Sequence, residues 1–187
     1  MTKNEIIEQL NNTSALRENR LRVANLIMQD RERFDILLKI IFDIDTKISI
    51  KAAWVFEFVC KKKIHWLYDN LDYFTQNIQK LHFDSAVRSI AKVCQILVLK
   101  SQKTTIVNFT NQHKESIAEV GFDWMISRHK VAIKAYTMQT LFYLGKQFDW
   151  IHGALQAIII DNMDKETAAY KSRGLITLAQ IKKFTSR

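Results

Sequence analysis

Trp54, Glu57 and Cys60 follow one another at intervals of three in KISIKAAWVFEFVCKKK (Lys47–Lys63), and Lys61, Lys62 and Lys63 close the stretch. An indole, a carboxylate and a thiol beside three ammonium groups are the ingredients of a reactive or base-stacking site. Neighbouring lysines lower a thiol's pKa and make it nucleophilic where it is exposed. In an apolar run a free cysteine instead behaves as a small hydrophobe. Cys60 and Cys94 both sit in such runs, so inert core thiols are expected. The same reading makes Trp54 a core residue and leaves Glu57 exposed at one edge of a buried helix.

Other chemistries lack their motifs. The histidines are His65, His82, His113, His129 and His152; none forms HExxH and none pairs with a cysteine at zinc spacing. HKE at 113–115 echoes the HxE of zinc deaminases, but the PCxxC partner is missing from a chain with no proline and cysteines 34 apart. These histidines read as surface or helix-end residues. There is no GxSxG elbow and no glycine-rich phosphate loop, so no catalytic residue, metal site or cofactor is assigned.

Any site must therefore be built by the scaffold. The 187 residues contain no proline and only four glycines, at 121, 145, 153 and 174. Hairpins and edge strands use those residues as punctuation, so their scarcity predicts an all-α chain with short connections. A hydrophobic fraction of 48% with 25% charged residues predicts one ordered domain spanning 1–187. Two cysteines make no disulfide framework and point to a reducing compartment. With neither a signal-like N-terminus nor an apolar run long enough to span a bilayer, a soluble cytoplasmic protein without a membrane span is expected.

Four segments carry the same helical stripe: DTKISIKAAWVFEFVC from Asp45, DSAVRSIAKVCQILVL from Asp84, SRHKVAIKAYTMQTLFYLG from Ser127 and DKETAAYKSRGLITLAQIKKF from Asp164. In each, an apolar residue is followed at four by a small residue and at eleven by another apolar one. The triplets are Ile48/Ala52/Val59, Val87/Ala91/Val98, Val131/Ala135/Phe142 and Tyr170/Gly174/Ile181. Such offsets share one helical face, which predicts buried stripes with a point of close approach. Second helices are expected near 45–60, 84–100, 128–145 and 166–184, other amphipathic segments between them, and capping helices over 1–29.

Small residues recurring at separations of 39, 44 and 39 resemble the HEAT and armadillo families, with AVRSIAKVCQIL closest to a second-helix pattern. The resemblance covers nearly the whole chain and implies a right-handed α-solenoid of four to five HEAT-like helix pairs, an ARM-repeat type superhelix. Gly174 in place of alanine, and Gln95 and Gln139 in place of leucine, depart from the pattern. DIDTKISIKAAWVFEFVC with LRENRLRVANLIM is similar to small HEAT-like proteins of Bacteroidetes, some labelled adenylosuccinate lyase. This chain lacks the proline-containing SSxMPxKxNP loop of such lyases, so lyase chemistry is not expected.

The resemblance implies a protein-interaction scaffold rather than an enzyme. Its partner surface is assigned to Lys51, Arg88, Lys134 and Arg173 on the second helices, with Lys61, Lys62 and Lys63. Residues 1–60 carry nine basic and nine acidic side chains, whereas residues 61–103 carry eight and three, so the net charge of +9 begins to accumulate at the lysine triplet. An acidic segment of a protein partner is the expected ligand. Nucleic acid is the alternative, by analogy with HEAT-like glycosylases that repair alkylated DNA. In that reading Trp54, Glu57, Arg88, Trp66 and Trp124 would form the base site. Lys51, Lys134 and Arg173 each precede the small residue of a stripe, so they either tie neighbouring repeats together or line the binding strip.

Overall fold

With no proline to break them, the stripes wind into helices throughout the computed structural model, which describes residues 1–43 and 47–186. Ten α-helices follow one another among these residues: α1 (Lys3–Asn11), α2 (Arg17–Ile27), α3 (Arg31–Ile41), α4 (Lys47–Lys63), α5 (Leu71–Asn77), α6 (Asp84–Ser101), α7 (Asn111–Ile126), α8 (Val131–Leu144), α9 (Asp149–Asn162) and α10 (Ala168–Thr185). Two tighter 3-10 segments, Ile64–Asn70 and Ile78–Lys80, flank α5. No helix among the described residues is long and apolar enough to cross a membrane.

The helix starts differ from those read in the sequence, because other side chains win the caps. Asp45 lies outside the described residues. Asp84 occupies the first turn of α6 and bonds the His129 ring instead of capping. The Ser127 hydroxyl closes the preceding helix by donating to the Asp123 carbonyl, so α8 starts only at Val131. Thr167, not Asp164, caps α10, its hydroxyl accepting the Tyr170 amide.

Packing sorts the helices into two layers. The even-numbered helices, α2 to α10, stack side by side in chain order and touch along much of their length. The odd-numbered helices cover them and contact one another far less. A double layer that is more closely spaced on one side must curve toward that side. The chain is thus an α-solenoid of five consecutive helix pairs, with the second helix of each pair on the inner curve.

The shared stripes supply the seams. Ala52, Val59, Val87, Ala91, Val98, Phe142, Tyr170, Gly174 and Ile181 are buried, while Ile48, Val131 and Ala135 are half-buried. At Gly174 an added Cβ would come within 2.9 Å of Ile159 Cγ2, so α10 approaches α9 more closely than alanine would allow. Phe34 and Phe56 stack at 5.1 Å, and Phe56 meets Phe74 at 6.2 Å, which joins α3, α4 and α5. Trp54 departs from the core role expected of it. It is half-buried, with the Arg20 guanidinium of α2 lying 5.9 Å from its ring.

Candidate binding face on the second helices

Glu57 is surrounded on α4 by the buried residues Ala53, Val55, Phe56 and Cys60, and it is buried with them at 2% exposure rather than lying at an exposed edge. A carboxylate survives in such a position only when its oxygens are fully engaged. Oε1 accepts from Lys61 Nζ at 2.5 Å, one turn further along the same helix. Oε2 accepts from an Arg88 guanidinium nitrogen at 2.7 Å and from the Ser89 hydroxyl at 3.0 Å, both on α6. Arg88 also donates to Ser89 Oγ at 3.1 Å. The cations are the outward part of this cluster: the Lys61 and Arg88 side chains are 39% and 30% exposed, against 3% for Glu57.

Lys92 lies one turn beyond Arg88 on the same face of α6. Its ammonium donates to Gln95 Oε1 at 2.6 Å and stands 4.6 Å from the Tyr136 ring on α8. Burial, together with the nearby Lys61, Arg173 and Arg88 charges, pulls its pKa below the usual lysine value, and Glu57 only partly opposes this. An ammonium can only donate, which sets the direction of the chain beyond it. Gln95 accepts from Lys92 and passes its amide N–H to Gln139 Oε1 on α8. The Gln139 amide nitrogen is left without a partner among the described residues, on a half-buried side chain.

A second ion cluster, between α8 and α10, has the opposite arrangement. Lys134 is buried at 4% exposure and donates to Glu166 Oε1, with its ammonium 5.7 Å from the Tyr170 ring. The Tyr170 phenol is pushed up to about 12 by burial, then by the Glu166 and Asp161 charges, and its hydroxyl has no hydrogen-bond partner among the described residues.

The remaining basic residues divide between tied and free. Lys51 donates to the Asn11 carbonyl at 2.7 Å, linking α4 to the end of α1. Arg173 is half-buried, and its guanidinium has no bonded partner among the described residues. Lys62 is exposed, and Lys63 lies with its ammonium 5.9 Å from the Trp66 ring. Within the base-site set of Trp54, Glu57, Arg88, Trp66 and Trp124, the ion pair joins only Glu57 and Arg88. Trp66 packs edge-on against Phe34 at 5.8 Å, and Trp124 is buried in α7.

Both cysteines are buried, as expected of core thiols. Burial pushes the Cys94 thiol up to about 12 and the Cys60 thiol well above its ordinary value. Two of the histidines expected as surface or helix-end residues stand in the first turns of their helices but are buried. His113 is buried where it closes the capping box of α7, its ring 2.6 Å from Asp72 Oδ1. His152 is buried under Gly145, its ring 2.9 Å from the Phe142 carbonyl, where a Cβ at 145 would collide with it at 2.2 Å.

Ser89, Lys92, Gln139 and Glu166 complete the two clusters without having been singled out as site residues from the sequence. One signal was available for Lys92, which stands four residues after Arg88 and so shares its helical face. Ser89 and Glu166 carry no such signal, since their partners lie 32 residues away. The family model of the HEAT repeat domain matches residues 6–177. No curated protein and no solved structure matches the chain.

Proposed function

Since the chain belongs to the HEAT repeat family, whose stacked helix pairs present a long preformed surface, we propose that it is a non-catalytic scaffold whose inner face captures an acidic segment of a partner protein. One observation carries this reading: Lys61 and Arg88 hold a single buried carboxylate, Glu57, whose oxygens are thereby occupied, and Lys92, one turn beyond Arg88, stands among their charges and that of Arg173. Positive charge is thereby held outward in the middle of a rigid face, where little entropy is lost on binding. Two free, buried thiols fit a reducing compartment, and we read the location as cytoplasmic.

The nucleic-acid alternative fits less well. Binding along a phosphate backbone requires cations at successive positions. Lys51 and Lys134, which would extend the strip in both directions, are instead engaged by Asn11 and Glu166. A fluorescein-labelled glutamate-rich peptide, followed by anisotropy at low salt, tests the proposal. It should bind the protein, and Lys92→Gln with Arg173→Gln should weaken it about tenfold or more while the melting temperature holds. Absence of peptide binding would overturn the reading. Tighter binding to random duplex DNA, falling steeply with salt, would replace it with the nucleic-acid one.

A further inference from the structure

Outside both ion clusters, the last turns of α8 and α10 wall an open pocket of about 310 Å³, lined by Phe142, Tyr143, Lys146, Gln180, Lys183 and Phe184. That volume lies at the small end of ligand clefts, which run from roughly 300 to 1,000 Å³. The turn after α8 sets its rings. Gly145 leaves room for the His152 ring, which stacks on Phe142 at 5.5 Å and meets Phe184 edge-on at 5.3 Å. Phe142 also meets Tyr143 edge-on at 5.1 Å. Phe184 is thereby held in the wall although it is 39% exposed. The Lys146 ammonium stands 4.6 Å from the Tyr143 ring, 5.0 Å from Phe142 and 5.8 Å from Phe184. Among the described residues neither Lys146 nor Lys183 has a hydrogen-bond acceptor or a carboxylate partner, and no acidic side chain lines the pocket.

Three kinds of occupant would meet this wall differently. A cation would have to expel Lys146 from the rings and then stand beside Lys183. A neutral ring would pack on Phe142 and Phe184 but leave both ammonium groups unpaired. A ring bearing an acidic group answers both parts of the lining. Its face or edge packs on the aromatic wall, and its oxygens accept charge-assisted hydrogen bonds from Lys146 and Lys183. The Gln180 amide can donate or accept, so it does not select between them. From this geometry we propose that the pocket binds a small planar aromatic anion, a free molecule with one flat ring system and one acidic group. The site uses none of the residues that carry the acidic-segment reading, and the two stand or fall separately.

Backbone amide shifts recorded by NMR while indole-3-acetate, indole-3-acetamide or hexanoate is titrated into the protein test the pocket. Indole-3-acetate should move Phe142, Lys146, Lys183 and Phe184, and it should bind about tenfold tighter than its neutral amide, as expected for added charge-assisted hydrogen bonds. Hexanoate keeps the carboxylate without the ring and should bind several-fold more weakly than indole-3-acetate. Lys146→Gln and Lys183→Gln, both at exposed positions, should each shrink the preference for acid over amide with the melting temperature unchanged. Phe184→Leu should weaken both indoles alike, and Lys100→Gln, exposed near the end of α6, should change nothing. Equal affinity for acid and amide, or for indole-3-acetate and hexanoate, would overturn the proposal. So would shifts centred outside the pocket, or no binding of indole-3-acetate at millimolar concentration. Tetramethylammonium binding more tightly than indole-3-acetate would make the rings a cation cage and overturn it. A tryptophan-bearing glutamate-rich peptide that outcompetes indole-3-acetate would assign the pocket to a protein partner and overturn it too.

Discussion

Two ion clusters on the same layer of helices do opposite things with their charge. Between α4 and α6 the carboxylate of Glu57 is buried, and Lys61 and Arg88 reach it from the partly exposed side. Between α8 and α10 the ammonium of Lys134 is buried, and Glu166 covers it. An anion buried beneath cations displays positive charge, whereas a cation buried beneath an anion hides it. Basic residues along one helical layer are therefore no guide to where that layer is electropositive. Which member of each pair is desolvated decides it.

The largest effect expected from this contrast is on stability. Glu166→Ala leaves the Lys134 ammonium buried without a counter-charge and should cost about 3 kcal/mol or more, read from urea unfolding. Replacing the pair together, with Lys134→Met and Glu166→Leu, should recover most of that loss. Glu57→Gln should cost less, about 1–2 kcal/mol, because Lys61 and Arg88 can turn to water and the amide still accepts from Ser89. It should also tighten glutamate-rich peptide binding, since the exposed cations lose their counter-charge. If Glu57→Gln proved the more destabilising of the two, the contrast between the clusters would break.

A smaller effect tests the Lys134 cluster by pH. The folded Tyr170 phenol keeps its proton to about 12, while the unfolded chain releases it near the ordinary value of 10.0. Stability is unaffected by this group below pH 10 and falls as pH rises between those values, because the unfolded state then binds fewer protons. Tyr170→Phe should remove this part of the alkaline fall in melting temperature. At neutral pH it should be neutral or stabilise by up to about 1 kcal/mol, since it deletes a buried hydroxyl with no partner among the described residues. An unchanged alkaline slope would contradict the phenol's burial.

The fold was legible because it depends on local periodicity: each stripe shows its small residue and its apolar positions within one helix. Even Gly174, a departure from the pattern, fell at the point of close approach that the alignment marked, and Ile159 explains it. Caps were harder to read, since Ser127 and Thr167 compete over a few residues by hydrogen bonds that no periodicity encodes. The charge pattern of the face was not legible. Lys51, Lys134 and Arg173 occupy equivalent positions in their stripes, yet among the described residues one meets a backbone carbonyl, one a carboxylate and one no bonded partner. Glu57 looked exposed because the donors that allow its burial, Arg88 and Ser89, lie 31 and 32 residues away.

The central claim is that positive charge is displayed around Glu57 and withheld around Lys134. Backbone amide shifts recorded by NMR while a glutamate-rich peptide is titrated into the protein test it most directly. Shifts should concentrate at Lys61, Arg88, Lys92 and Arg173, with Lys51 and Lys134 nearly unmoved. Shifts centred on Lys51 and Lys134, or on the outer layer of α3, α7 and α9, would contradict it.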